Sequence, residues 1–430
     1  MRFRRGVKPG RFARVRGSAF AAVLAALVAT CAAFAPAARA AAPYATTGDC
    51  GGLPKLNLKT PAGWCVGLVA QGLRFPRGLG LLPGGDIVVA ELGGWMENRG
   101  RISILRKAKG YERETVFEGL NQPHGVAIGP DKRVYIGVLG GVLRFDPANP
   151  QGTREDVIGG KSGVAAIPGM GLHPLVSLVF DTKGDLLLNL GSVTDNCVVS
   201  GTEPEPNATT CAEAGGQESH GVIRRYPMHW PGDGKAGKAG AFTVEASGLR
   251  NSLGLAVHRA SNTLWQAENS RDAISKRDPK LKDEAVPHDE LNRVVAGKHY
   301  GWPYCYDNNV AAPEFAKFDC KGKTAPVLLL PPHAAPLGLA IDNDAKLPAP
   351  FTGHMLITYH GYRKTGHRLV AFKLDAQGAP VGSPVDLISG WEGISGVRPL
   401  GAPVDARIDA SGAVFVSEDR NGTVLRLVKP

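Results

Sequence analysis

A short hydrophobic pattern recurs along the chain. Each copy has alternating small and apolar residues, a polar turn with Gly, Asp or Asn, and a second apolar stretch. Alternation with a period of two on both sides of such a turn predicts a β-hairpin. Six copies align on one residue in the first stretch of each: Gly78, Gly125, Ser177, Gly254, Gly338 and Asp405.

The number of copies predicts the fold. Neighbouring copies start 47 to 84 residues apart, which leaves room for four strands per copy plus loops of varying length. No segment shows a long helical period, and 56 Gly and 32 Pro suit a chain rich in turns. A β-sandwich or an up-and-down barrel would not explain six copies of one hairpin. We therefore predict an all-β protein, a six-bladed β-propeller with a central pocket.

The register of the repeat predicts what surrounds that pocket. Equivalent positions of a propeller ring the mouth of its channel. Three and four residues before the anchors, six of the twelve residues are polar and two of these are arginines, and such a ring suits an anionic ligand. The polar members of this ring are Arg74, Asn121, Gln122, His173, Arg250 and Asn251.

The first 40 residues have a different character. Basic residues without any acidic one precede an apolar run from Ala19 to Ala35 and the small-x-small sequence Ala38-Arg39-Ala40. This order predicts a secretory signal over residues 1–40 and a mature domain over 41–430. An uncleaved anchor is the alternative, and Cys31 lies in a weak lipobox. The signal holds eight of the eleven net positive charges, so the mature part is only +3 and offers no basic surface typical of nucleic-acid binding.

The six cysteines after the signal form three local couples. Export leads to an oxidising compartment, the periplasm or the outside of the cell, where disulfides are stable. Each couple would close one loop, and no Cys-x-x-Cys typical of a metal or haem site is present. The predicted bonds are Cys50–Cys65, Cys197–Cys211 and Cys305–Cys320.

Two ring residues are candidates for chemistry. The imidazole of His173 can accept a proton near neutral pH, and the guanidinium of Arg250 can hold an anion. The chain has no nucleotide-binding Gly-x-Gly-x-x-Gly before a helix, no Gly-x-Ser-x-Gly and no His-Glu-x-x-His.

Four motifs extend this picture. They begin at Leu249-Arg250-Asn251, Trp265, Asp289-Glu290 and Tyr300-Gly301-Trp302-Pro303, and their order resembles that of the glucose/sorbosone dehydrogenase family, nearer its sorbosone-dehydrogenase-like branch. The resemblance covers about residues 65–430. It implies an exported six-bladed propeller that uses pyrroloquinoline quinone (PQQ) and calcium. It also implies oxidation of an aldose sugar or related aldehyde, with hydride transfer to the quinone and an electron acceptor that the sequence does not identify.

The resemblance also implies roles for particular residues. The general base falls on His173, and the pair that faces the quinone falls on Arg250 and Asn251. Backbone carbonyls of Ser270 and Arg271 would hold the calcium. The further residues predicted for the cofactor are Gln122 from the ring, Arg271, Arg363, Arg398 and Asp419, and the resemblance implies Asp289 and Glu290 for a second calcium.

The sequence departs from the family at two cofactor clamps. Gly361 stands where the family has a lysine, and Ala402 and Val404 stand where it has arginines. Arg363 or Lys364 could replace the lysine, and Arg398 one arginine. Two other functions therefore stay open: a propeller without catalysis that only binds a ligand, and a calcium-dependent lactonase or other hydrolase. The hydrolase would need carboxylates converging on a central metal, and the predicted ring has none.

Overall fold

The computed structural model describes residues 44–197, 210–215, 219–232, 236–361, 363–391 and 401–430. These residues belong to one compact unit that spans Ala41–Pro430. The predicted signal, residues 1–40, lies outside the described residues.

Six sheets surround one axis, four of them with four antiparallel strands and two with added strands, so the predicted six-bladed β-propeller is confirmed. In blades 1 to 3 the strands follow each other outward in chain order. Blade 1 contains Pro76–Leu81, Ile87–Glu91, Gly100–Arg106 and Glu112–Leu120. Blade 2 contains Val126–Ile128, Val134–Val138, Gly141–Phe145 and Glu155–Ile158. Blade 3 contains Leu178–Phe180, Leu186–Leu190, Val222–Tyr226 and Thr243–Ser247, with Lys298–His299 added in parallel at its edge.

Blades 4 and 5 repeat this plan, and blade 6 combines both ends of the described chain. Blade 4 contains Gly254–His258, Thr263–Glu268, Asp289–Val294 and Leu328–Leu330. Blade 5 contains Pro336–Ile341, Met355–Tyr359, Arg368–Leu374 and Pro380–Ile388. Blade 6 contains Pro403–Ile408, Val414–Glu418, Thr423–Val428 and then Cys65–Ala70, Leu53–Leu56 and Thr46–Cys50.

Short elements decorate the loops. The described helices are the α-helix Pro150–Thr153 and the 3-10 turns Lys107–Lys109, Ala212–Ala214, Ile274–Lys276 and Pro313–Phe315. Two small hairpins pair Met228–His229 with Lys238–Ala239 and Cys305–Tyr306 with Val310–Ala311. All three disulfides join the predicted cysteines.

The anchor residues of the repeat lie where neighbouring innermost strands touch. The amide of Gly78 donates to the carbonyl of His124 at 2.9 Å, and the amide of Gly125 donates to that of Val176 at 2.9 Å. A Cβ on Gly78 would lie 2.3 Å from the His124 oxygen, and one on Gly125 would lie 2.7 Å from the Val176 oxygen. These positions must be small because any side chain would push the blades apart.

The centre of the channel is narrow and is crossed by an arginine. Arg407 of blade 6 donates from Nε to the carbonyl of Leu79 at 3.1 Å and from Nη2 to that of Val126 at 3.4 Å. Its Nη1 lies 2.8 Å from Asp405 Oδ1. Arg407 therefore links blade 6 to blades 1 and 2, and the free volume at this level of the channel is only about 20 Å³.

Candidate active site

A cavity of about 530 Å³ opens at one end of the channel. Its volume lies in the usual range for small-molecule sites. Three ring residues predicted from the repeat line it: His173, Arg250 and Asn251. The first residues after the second strands of blades 4 and 6, Asn269 and Asp419, line it as well.

His173 is held in one orientation by the loop after the second strand of blade 3. Its Nδ1 lies 2.7 Å from Ser192 Oγ and 3.2 Å from the Ser192 carbonyl oxygen. Burial, and then the nearby charge of Arg250, lower the pKa of His173 to about 3. The ring is therefore neutral at pH 7. With Nδ1 engaged, Nε2 is the ring nitrogen that can accept a proton from a bound molecule.

Arg250 is 1 % exposed, and protein oxygens accept all five of its N–H groups. Nε and Nη2 donate to the carbonyl and the carboxylate of Asp195, at 2.9 and 2.6 Å. Nη1 donates to the carbonyls of Asn269 and Ser270, at 3.0 and 2.8 Å, and Nη2 also reaches Asp272 at 3.1 Å. The guanidinium thus links its own loop to two others, and its charge faces two carboxylates.

A second charged network lies on the other side of the cavity. Arg77 donates from Nη1 to Asp419 Oδ2 at 2.5 Å and from Nε to His124 Nδ1 at 3.1 Å. His360 Nε2 lies 3.0 Å from Asp419 Oδ1. Burial opposes ionisation of Asp419, yet His360 and Arg77 hold its pKa well below the ordinary value. Burial, and then Arg77, lower the pKa of His124.

The loop that carries the predicted calcium carbonyls is fixed by a buried carboxylate. Asp289 Oδ1 accepts from the Ser270 amide at 2.9 Å, and Oδ2 accepts from the Ala335 amide at 2.7 Å. Burial raises the pKa of Asp289 to about 7. Glu290 follows Asp289 in one strand, so their side chains point to opposite faces of the sheet. Burial, and then Glu268, raise the pKa of Glu290 well above its usual range.

Other predicted residues lie away from the cavity lining. The Arg271 side chain is buried against Glu314, with Nη1 2.5 Å from Oε2. Arg363 lies 3.2 Å from Glu284 and lines a neighbouring cavity. Gln122 does not line the cavity, and its Oε1 is buried without a hydrogen-bond partner among the described residues. Arg398 lies outside the described residues.

Several cavity residues were absent from the predicted site. Arg77 lies one position before its repeat anchor, so its register was a usable signal. Arg420 follows the predicted Asp419 and also lines the cavity. His360 directly precedes Gly361, one of the positions where the sequence departs from the family. Asp195 does not line the cavity, but it accepts two hydrogen bonds from Arg250 and lies in a loop that no repeat or motif marks.

Among the described residues, one group of metal-ligand side chains lies close together: Cys197, Cys211 and Glu213. Its two cysteines form a disulfide. No helix in the described part of the chain is long and apolar enough to cross a membrane.

The family model described as TrAA12-like matches residues 58–429. The chain belongs to the TrAA12-like family. One relative of this chain is a protein of Hypocrea jecorina (strain QM6a) named pyrroloquinoline quinone-dependent sugar dehydrogenase. It is 22 % identical over 416 residues, which cover 85 % of this chain and 88 % of the relative. An uncharacterised protein of Borreliella burgdorferi is 24 % identical over 196 residues, and the match spans about half of that relative (48 %) and 43 % of this chain.

Solved structures of similar fold accompany this family assignment. A calcium structure of Trichoderma reesei Carbohydrate-Active Enzymes Family AA12 has a TM-score of 0.67 at 20 % identity, covering 91 % of this chain and 98 % of that one. The holo PQQ domain of pyranose dehydrogenase from Coprinopsis cinerea has a TM-score of 0.62 at 19 % identity, covering 88 % and 99 %. The predicted resemblance to PQQ-dependent sugar dehydrogenases is confirmed, and with it the expected enzyme class, a quinoprotein oxidoreductase.

Proposed function

We propose that this TrAA12-like chain is a PQQ-dependent dehydrogenase that oxidises an aldose sugar or a related aldehyde. The observation that carries the proposal is a neutral histidine, His173, with a fixed Nδ1, on the wall of a cavity rich in hydrogen-bond donors. Family membership and the PQQ-containing proteins of similar fold support the same reading. The disulfides and the sequence of residues 1–40 support an exported, periplasmic or secreted enzyme.

The residues of the cavity suit PQQ. Its three carboxylates need cationic and N–H donors, which Arg77, Arg420 and Asn251 supply around the cavity. Arg250 would add its charge from beneath, since its own N–H groups already bond to the protein. When bound, PQQ supplies an electrophilic quinone that accepts two electrons from the substrate.

The protein would provide the proton acceptor and the orientation. His173 Nε2 would take the proton of the substrate hydroxyl, while the Nδ1 contact to Ser192 keeps the ring in place. The charge of Arg250 would favour the negative charge that develops beside it, although Asp195 and Asp272 offset part of that charge. Asn251 and His360 would orient the substrate or the cofactor by hydrogen bonds.

The proposed enzyme would also bind calcium, and this part of the proposal rests on the kind of oxygen atoms near Arg250. The carbonyl of Ser270 and the nearby carboxylates of Asp195 and Asp272 are the hard oxygen ligands that calcium takes. The Ser270 carbonyl already accepts from Arg250, but a carbonyl oxygen has two lone pairs and can serve both. The Arg271 carbonyl stays the second proposed ligand. A second calcium shared by Asp289 and Glu290 is less favoured, because these neighbouring side chains point to opposite faces of the sheet.

The test is a spectrum of purified protein titrated with PQQ and calcium, followed by addition of an excess of sugar. We expect saturable binding and bleaching of the quinone absorbance in a single turnover. His173→Ala should keep PQQ binding and slow the bleaching by about a hundred- to ten-thousand-fold. The exposed His229, replaced by alanine, is the matched control.

Three results would count against the assignment. A His173→Ala protein within a few-fold of the parent rate would remove His173 from catalysis. Full activity after thorough chelation would show that the enzyme does not need calcium. A protein that binds sugar but never reduces PQQ would favour the non-catalytic binding propeller. The hydrolase alternative is less favoured, because no group of three or more carboxylates lies close together among the described residues of the cavity.

A further inference from the structure

The mouth of the cavity carries a strip of exposed apolar side chains. Trp95 is 61 % exposed, Leu172 is 52 % exposed and Phe75 is 37 % exposed. All three line the same cavity as His173. Single exposed apolar residues are common on protein surfaces, but three of them around one pocket indicate a binding surface.

The loop that carries Trp95 is tied down at both ends. The amide of Gly93 donates to the Arg74 carbonyl at 3.0 Å, and the amide of Asn98 donates to Asn121 Oδ1 at 2.7 Å. Gly93 has φ +76°, and a Cβ there would lie 2.0 Å from the Arg99 carbonyl oxygen. Hydrogen bonds therefore fix both ends of the loop, one of them to the segment that leads into blade 2. This holds the backbone that carries the indole next to the cavity.

The cavity lining combines two kinds of chemistry. His173, Asn251 and His360 offer nitrogen and oxygen atoms, whereas Phe75 and Trp95 offer apolar surface. A sugar ring has the same division, because its hydroxyl groups lie around the edge and its faces carry C–H groups. Aromatic side chains bury such faces at low entropy cost, since they have few rotatable bonds.

Trp95 extends beyond what one ring inside the cavity would cover. Its indole lines the cavity, yet more than half of the side chain faces solvent. We propose that Trp95 is a platform for a second sugar ring, so that the preferred substrates are oligosaccharides oxidised at their reducing end. This inference rests on the proposed function, because it assumes that the first ring reacts in the cavity beside His173.

The test compares glucose with its β-1,4-linked and α-1,4-linked disaccharides, cellobiose and maltose, using an artificial electron acceptor. We expect the wild type to have a higher kcat/KM for at least one disaccharide than for glucose. Trp95→Ala should lower that disaccharide-to-glucose ratio about tenfold, the usual cost of truncating a central aromatic contact. Trp95→Phe should restore most of the ratio. Met96→Ala is the matched control, because Met96 is 63 % exposed beside Trp95 but does not line the cavity.

A second measurement does not depend on turnover. Binding of the preferred disaccharide to the cofactor-free protein should change the tryptophan fluorescence, and Trp95→Phe should abolish the change while keeping the affinity within a few-fold. A ratio unaffected by Trp95→Ala, or equal losses for glucose and disaccharide, would overturn the second-ring platform. A loss seen only with a protein electron acceptor would overturn it in favour of partner docking. Absence of any sugar oxidation in the wild type would instead overturn the proposed function. The binding measurement would still test whether Trp95 contacts a second sugar ring.

Discussion

His173 differs from an ordinary histidine in the pH range over which it is uncharged. In water the imidazole loses its proton near pH 6.5, but burial and Arg250 lower the pKa of His173 to about 3. The base is therefore ready throughout the neutral range. The same shift makes it a weaker base, so its usefulness depends on orientation by Ser192.

This shift predicts the acid side of the pH–rate profile. Only the neutral ring can accept a proton, and a lowered pKa extends the neutral form to lower pH. We expect kcat/KM to show no acid limb from His173 until the pH falls towards about 3. Steady-state rates between pH 4 and 8 would check this. His173→Gln identifies the group, since any limb that this variant retains belongs to another residue. A midpoint near 6.5 that disappears in His173→Gln would contradict the expectation.

The residues that the sequence could reveal are those that share a register or a motif. His173 and Arg250 both lie four positions before their anchors, and both reach the cavity as the repeat predicted. The sequence could not predict that every N–H group of Arg250 has an acceptor in the protein, because Asp195 lies 55 residues away in a loop without a pattern. The same limit applies to the Arg271 side chain, whose partner Glu314 lies 43 residues further along the chain.

At the scale of elements, the loop closed by Cys305–Cys320 supports the cavity from outside. It carries Glu314, which pairs with Arg271 at 2.5 Å and accepts from Asn196 Nδ2 at 3.0 Å. The side chains of Glu314 and Arg271 are 1 % and 7 % exposed. A disulfide-bonded loop thus holds the chain next to Ser270 and Asp195.

Breaking this pair should be costly. Glu314→Gln would leave the Arg271 charge buried without its partner, and we expect a loss of about 3–5 kcal/mol in the free energy of unfolding. Asp344→Asn is the control, since Arg259–Asp344 is an exposed pair with side chains 54 % and 62 % exposed. Its loss should stay below about 1 kcal/mol. Urea unfolding followed by circular dichroism measures both, and equal effects of the two variants would refute the difference in role.

The elements themselves were largely predictable. Alternating residues around polar turns identified the first two strands of every blade, and the small anchors proved to be the contacts between blades. The pairing of Cys65–Ala70 into blade 6 was not predicted. No local pattern links this segment to Thr423–Val428, since only closure of the ring brings them together.

That closure governs the whole molecule. Cys65 lies opposite Val428, and five pairs of residues join the two strands. Tyr44, 3 % exposed, also accepts from Trp391 Nε1 at 2.9 Å and lies 3.2 Å from Glu418 Oε2. The ring is therefore held shut by segments from opposite ends of the described chain.

Removal of the last strand should open the ring. Deletion of residues 423–430 exposes both Cys65–Ala70 and Val414–Glu418, so we expect loss of a single cooperative unfolding transition, or insoluble protein. A circular permutant should separate loss of the strand from loss of chain length. Its old ends would be joined by a long flexible linker, and the chain would be opened at the turn near Gly84. This variant should unfold in one transition. Calorimetry measures both, and a truncated protein as cooperative as the parent would show that the strand is dispensable.

Arg407 helps to narrow the channel next to the cavity. Its guanidinium contacts the carbonyls of Leu79 and Val126, and at this level the free volume is only about 20 Å³, which is room for roughly one water molecule. The substrate would therefore enter through the opening beside Trp95, and the product would leave through the same opening. Exchange at the site would be sequential, because the product has to dissociate before the next substrate molecule can bind.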